Sequence, residues 1–111
     1  MAERYTVKIT RPVERQMTEI VDYISNRLQN PLAASRLLDE LERQISSLSR
    51  MPYQVMLTEE EPWHSRGIHR LSVREYLVYF WIDEPEKKVQ VTAVVYGRRD
   101  QREQLANMEM E

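Results

Sequence analysis

The chain has 111 residues, a net charge of −2, 41% hydrophobic residues and 31% charged residues, which suits one globular domain and excludes a disordered chain. Because it has no cysteine and only two glycines, a disulfide scaffold, a thiolate metal site, a cysteine nucleophile and a glycine-rich phosphate loop are not expected. No apolar stretch reaches the ~20 residues that cross a membrane, and the first residues lack a signal-peptide pattern, so we expect a cytoplasmic protein without a membrane partner.

The charges are unevenly distributed along the chain. Thirteen of the sixteen basic residues are arginines, whose planar fork suits phosphate and carboxylate partners. Residues 64–102 hold eight basic and five acidic residues. Residues 51–63 and 103–111 each hold three acidic residues and no lysine or arginine. A basic segment therefore lies between two acidic ones. This allows a local phosphate-binding surface, although the overall balance is not typical of a nucleic-acid-binding domain.

The first half of the chain predicts a strand followed by two helices. Residues 3–9 alternate between apolar and polar side chains, as in a strand with one buried face. Two apolar stripes at helical spacing follow: Val13, Met17, Ile20, Val21, Ile24 and Leu28, then Ala34, Leu37, Leu38, Leu41, Ile45 and Leu48. Thr10 is the predicted cap of the first helix, Asn30 with Pro31 begins the second, and Pro52 ends it. We expect the two helices to pack as an antiparallel hairpin, with part of their stripes as a candidate groove for a partner segment.

The second half predicts a sheet. Residues 52–66 form a long loop, with one short strand proposed near 55–57. Residues 68–73 alternate as a strand, residues 76–82 are apolar throughout as in a central strand, and residues 88–96 form the last strand. In that last strand, strict alternation puts Val89, Val91, Ala93 and Val95 on one side and Gln90, Thr92, Val94 and Tyr96 on the other.

A short helix is predicted over residues 98–106, followed by a frayed tail over about 106–111, all within one domain spanning 1–111. Grouped helices followed by grouped strands indicate an α+β fold. We expect a small, mainly antiparallel sheet made of the N-terminal strand and a C-terminal three-stranded meander. The helical hairpin would cover one face, and the other face would be partly open to solvent.

Several polar side chains are candidates for function. Arg66, Arg70 and Arg74 recur every four residues, which on a strand places all three on one face, either as a binding surface or as a solvated one. His69 has a suitable unperturbed pKa of about 6.5 for a general base, but its alternation pattern puts it on the more buried face. Tyr76, Tyr79, Phe80 and Trp81 could form a base-stacking platform but are expected in the core, so Tyr96, at the exposed end of its strand, is the better aromatic candidate for stacking or acid–base chemistry.

Residues 68–73, 76–83 and 89–96, closed by Gly-Arg-Arg-Asp at 97–100, resemble the RelE/ParE superfamily of toxins from type II toxin–antitoxin modules. The likeness extends over roughly residues 4–105, since the opening strand and the helix pair match the layout of that superfamily. The strand with Leu-Val-Tyr and the Tyr-Gly-Arg-Arg-Asp ending are its most specific parts.

The resemblance implies a growth-inhibiting toxin that a cognate antitoxin neutralises, within a toxin–antitoxin hetero-oligomer. RelE-like members act as metal-independent endoribonucleases that cut mRNA on the ribosome, whereas ParE-like members inhibit DNA gyrase and are not nucleases. A degenerate member without toxicity, acting only as a protein-binding partner, is the alternative. No cofactor and no metal are implied.

The resemblance also suggests which residues carry the activity. RNA cleavage requires groups that take the 2′-hydroxyl proton, stabilise the phosphorane and protonate the leaving oxygen. By position, Arg70, His69 and Arg99, together with Tyr96, are the catalytic candidates, with Arg70 and Arg99 clamping a phosphate over the open sheet face. Arg66, Arg74 and Arg98 are the expected contacts to RNA or to another target.

Overall fold

The computed structural model describes residues 4–97. In chain order its elements are β1 (Thr6–Ile9), α1 (Arg11–Asp22), a π-helical turn (Tyr23–Arg27), α2 (Pro31–Ser47), a 3-10 turn (Pro52–Gln54), β2 (His69–Val73), β3 (Tyr76–Asp83) and β4 (Lys88–Tyr96). The helix predicted over 98–106 and the tail lie outside the described residues. Within residues 4–97, no helix combines the length and the apolar character needed to cross a bilayer.

The two helices begin where their caps predict. The Thr10 hydroxyl accepts the backbone N–H of Val13 at 3.4 Å, and the Asn30 side chain accepts that of Ala33 at 3.1 Å. The first helix ends in the π-helical turn, and Gln29 with a φ of 50° separates it from α2. The sequence predicted this helix pair but not the change from α to π geometry.

The four strands form one sheet in the order β1-β4-β3-β2. β1 runs parallel to β4, and β3 pairs antiparallel with both β4 and β2. The expected α+β fold, a meander joined by the N-terminal strand, is therefore confirmed. The region 52–66 is mostly loop, and its proposed short strand is reduced to one bridge between Leu57 and His69.

A β-bulge in β4 changes which side chains face the helices. Tyr79 pairs with Ala93 but Phe80 pairs with Val91, so Thr92 is an extra residue between them. The predicted strict alternation of 88–96 is therefore wrong beyond Val91. Val89, Val91 and Val94 face the helices, whereas Ala93 and Val95 face the opposite side.

Buried side chains lie on both faces of the sheet. The main core, between the sheet and the helical hairpin, includes Val13, Leu41, Val78, Phe80, Val89 and Val91. A second cluster on the opposite face contains Ile68, Tyr79, Ala93 and Val95, with Trp63, Leu77 and Trp81 packed against it. The loop before β2 therefore covers part of this face while Arg70 and Lys8 remain exposed, so the face is partly open to solvent, as the sequence predicted.

Candidate functional site

Arg70 is an exposed cation on the face of the sheet opposite the helices. It lies in β2 directly across from Tyr79 in β3, so both side chains project from the same face. Tyr79 is fully buried, and this burial raises the pKa of its phenol, while the charge of Arg70 and a hydrogen bond from it oppose that shift. Arg70 therefore combines an anchored position with a solvent-accessible charge.

A second arginine lies beside the same cluster. The guanidinium of Arg66 stacks over the ring of Trp63 at 5.2 Å, in the loop that leads into β2. Since Trp63 packs against the cluster that contains Tyr79, the two arginines border one surface. We call Arg66, Arg70, Trp63 and Tyr79 the arginine face.

His69 points to the other side of β2, because successive residues of a strand face opposite ways. Its ring stacks on Phe80 with centroids 5.0 Å apart, and only 8% of the residue is exposed. Burial lowers the pKa of His69, which keeps the ring neutral near pH 7. Its Nδ1 lies 2.7 Å from the carbonyl oxygen of Val55 and donates to it. His69 thus occupies the buried face that its alternation pattern predicted.

Tyr96 lies at the end of β4, on the helix side of the sheet. Its ring contacts that of Tyr76 at 5.5 Å, and its hydroxyl donates to the carboxylate of Glu75 at 3.4 Å. The described residues therefore do not bring Tyr96, His69 and Arg70 to a single surface. Arg70 faces away from the helices, whereas the other two lie on the helix side at separate places.

The expectation that Arg66, Arg70 and Arg74 share one strand face is wrong. β2 contains five residues and includes only Arg70; Arg66 lies in the preceding turn and Arg74 in the tight turn to β3, with a φ of 55°. The side chain of Arg74 lies near α2: a hydrogen bond from Arg43 is the main cause that lowers the pKa of Glu40, and the charge of Arg74 adds to it. Arg98 and Arg99 lie outside the described residues, so the convergence of Arg70 with Arg99 stays a prediction.

A groove lies between the helical hairpin and the ends of β3 and β4, where the helix stripes were a candidate for one. Its volume is about 1190 Å³, and its walls include Gln16, Ile20, Ile24, Tyr76, Val94 and Tyr96. Along its walls, Tyr23 and Leu28 leave 52% and 56% of their surface exposed. Leu28 was expected in the core stripe. The apolar stripe of the first helix continues beyond the part that the sheet covers. This extra apolar length was the feature of the sequence that indicated the groove.

A polar cluster ties three loops together far from the groove. The carboxylate of Glu84 accepts hydrogen bonds from the hydroxyls of Tyr5 and Tyr53, at 3.0 Å and 2.6 Å, and from the ammonium of Lys87. Lys87 first, and then Tyr53, lowers the pKa of Glu84 to about 2, and Glu84 in turn raises the pKa of Tyr53 to about 12. These contacts connect the start of β1 and the 3-10 turn to the β3–β4 turn. They have a structural role.

Among residues 4–97, no three histidine, aspartate or glutamate side chains are grouped to hold a metal ion. The features of the described part that we consider for function are therefore the arginine face, the groove and the Glu84 cluster. Two of these three features are surfaces suited to another macromolecule, because they combine exposed charge or exposed apolar area with a rigid support.

The fold and these two surfaces are those of a small toxin-like α+β protein, and the sequence comparison identifies its family. The profile described as "ParE toxin of type II toxin-antitoxin system, parDE" matches residues 7–101. Since this is most of the chain, the protein belongs to the ParE toxin family of type II toxin–antitoxin systems. No curated protein sequence matches the chain significantly.

Solved structures support the same fold. The chromosomal ParDE toxin–antitoxin system of P. aeruginosa is 19% identical with a TM-score of 0.68, covering 84% of this chain and 96% of that one. The RelBE2 toxin–antitoxin complex of Mycobacterium tuberculosis is 20% identical with a TM-score of 0.59, and the match covers 84% of this chain and 98% of that one. The archaeal RelE–RelB complex of Pyrococcus horikoshii is 17% identical with a TM-score of 0.52, and the match covers 87% of this chain and 99% of that one.

Proposed function

We propose that this toxin inhibits bacterial growth by binding DNA gyrase as a protein partner, without cleaving RNA, and that a cognate antitoxin neutralises it. Such a target places its action in the cytoplasm. Membership of the ParE family supports this direction, since ParE-like members inhibit gyrase whereas RelE-like members cut mRNA.

The observation that carries the proposal is the separation of the candidate catalytic side chains. General acid–base catalysis needs its groups within hydrogen-bond reach of one reacting centre. His69 is buried among the helix-side residues, Tyr96 lies at the groove, and Arg70 projects from the opposite face. Within residues 4–97 these three groups therefore do not converge on one reacting phosphate, which favours a binding function over RNA cleavage.

Two surfaces then have distinct roles. The arginine face, with Arg66 and Arg70 held by Trp63 and Tyr79, is the proposed contact to the target, since anchored arginines and aromatic residues are typical of binding hot spots. The groove is the proposed contact to the antitoxin, because it offers apolar walls that are partly exposed. Arg74 borders the groove. Arg98 remains a proposed target contact, and Arg99, first expected to act in catalysis, is proposed as a second one.

The test combines induced expression in growing bacteria with two assays on the purified protein. We expect growth arrest that co-expression of the antitoxin from the adjacent open reading frame relieves. We also expect inhibition of DNA supercoiling by gyrase and no ribosome-dependent cleavage of mRNA. Unimpeded growth at high expression would support the non-toxic alternative, and mRNA cleavage without gyrase inhibition would support the ribonuclease.

A matched pair of variants tests the arginine face. Arg70→Ala should weaken gyrase inhibition by about tenfold or more, as expected for a central interface arginine. Arg36→Ala, which removes another exposed arginine from the outer side of α2, should leave inhibition unchanged. Equal inhibition by both variants would exclude Arg70 from the target contact.

A further inference from the structure

The arginine face is bordered by an exposed methionine in the loop before β2. Leu57 forms an antiparallel bridge with His69. One residue further, the backbone N–H of Arg70 donates to the carbonyl of Met56 at 3.1 Å, so these two residues lie across from each other and project from the same face. Met56 leaves 80% of its surface exposed. A large apolar side chain therefore lies in solvent beside the exposed cation of Arg70.

The same loop brings acidic side chains to this surface. Residues 56–70 contain three glutamates and two arginines, Arg66 and Arg70. Burial is the main cause that raises the pKa of Tyr79, and the negative charge of Glu60 adds to that shift, whereas the charge of Arg70 opposes it. Since such effects weaken with distance, Glu60 and Arg70 both lie close to the phenol of Tyr79. The arginine face therefore has a carboxylate beside its guanidinium groups.

We propose that the arginine face receives a segment of gyrase itself that carries charges of both signs. A carboxylate of that segment pairs with Arg70, an apolar side chain next to it contacts Met56, and a lysine or arginine faces Glu60. This inference rests on the proposed gyrase target and specifies which component of a gyrase–DNA complex the toxin contacts. Complementary charges determine which partner is accepted and in which orientation, and a methionine adapts its shape to an apolar neighbour.

The DNA held by gyrase is the other macromolecule that could meet this surface, and two observations disfavour it. Contacts to the phosphate backbone gain their free energy from cations that release counterions, and a neighbouring carboxylate opposes that gain. Residues 56–70, with two arginines against three glutamates, have a net charge of −1 when histidine is counted as neutral. The exposed side chain of Met56 also has no apolar partner on a sugar–phosphate backbone. A protein segment suits all of these groups, because arginine pairs with a carboxylate through two parallel hydrogen bonds.

Neutralising Glu60 separates the two partners by the sign of the effect. Glu60→Gln keeps the shape of the side chain and removes its charge, and binding of the full chain to purified gyrase is measured without DNA and with a linear duplex present. We expect about fivefold weaker binding in both cases, because a basic residue of gyrase loses its charged partner. Glu42→Gln, which neutralises an exposed glutamate of α2, is the matched control and should bind like wild type. Binding of Glu60→Gln equal to the control, or tighter than it, would overturn the inference.

Two further measurements separate the inference from the proposed function. Met56→Ser should weaken gyrase binding about fivefold by removing the apolar contact, whereas Met51→Ser, at an exposed methionine beside Leu71 on the helix side of the sheet, should not. Equal binding by the two methionine variants would contradict the role of Met56. Binding of the wild-type chain to the linear duplex alone, lost in Arg70→Ala, would assign the face to DNA and overturn the inference. Failure of the wild-type chain to bind gyrase would instead contradict the proposed function.

Discussion

The burial of His69 predicts a specific loss of stability in mild acid. The folded protein holds His69 neutral, because burial lowers its pKa, whereas the unfolded chain takes up a proton below about pH 6.5. The unfolded state therefore binds more protons than the folded state, and the free energy of unfolding falls as the pH drops through 6.5. One proton gives a slope of up to about 1.4 kcal/mol per pH unit, so lowering the pH from 7.5 to 5 removes at most about 2 kcal/mol.

Urea unfolding followed by tryptophan fluorescence at several pH values between 7.5 and 5 measures this loss. His69→Phe is the control, since it keeps an aromatic ring against Phe80 and removes the titrating group. The variant should be less stable at pH 7.5, because the carbonyl of Val55 loses its donor, but it should lose less stability in acid. His64, the other histidine of the chain, remains in both proteins. An equal acid-induced loss in both would refute the reasoning.

Three further changes test other parts of the fold. Phe80→Ala, at a fully buried position of the main core, should lower the free energy of unfolding by about 3–5 kcal/mol in urea titrations. Asn30→Ala should cost ~1 kcal/mol in the same assay by removing the cap of α2, and Asn30→Asp should restore most of it. Glu84→Gln should lower the melting temperature at pH 7, and its difference from wild type should shrink as the pH falls from 4.5 towards 2, where the native carboxylate is protonated.

Local sequence chemistry was sufficient for most of the secondary structure. Caps and apolar periodicity act over a few residues, so Thr10 and Asn30 identified the helix starts, and alternation identified the buried side of His69. The bulge at Thr92 escaped prediction because Val-Thr-Ala-Val-Val has no glycine or proline to mark an irregular strand. The extra residue is selected by packing on both faces of the sheet.

The candidate site was harder to predict than the fold, because it depends on which side chains other elements cover in the folded protein. Arg74 occupies a left-handed turn position without being glycine or asparagine, so nothing in the sequence separated it from the strand. The position of the groove could not be predicted, because the sequence shows that Leu28 and Tyr23 are apolar but not that the sheet stops short of them. The short length of β2 therefore determines which arginines lie on the same face of the sheet.

The parallel pairing of β1 with β4 has a consequence for the order in which the chain folds during its synthesis. Tyr5 and Glu84, which close this end of the sheet, are 79 positions apart in sequence. Because domains fold as their segments leave the ribosome, a nascent chain can form the helical hairpin early but must wait for β4 before β1 has a neighbour. Synthesis itself thus delays completion of the sheet, and under the proposed function an antitoxin already present has that interval in which to meet the nascent chain.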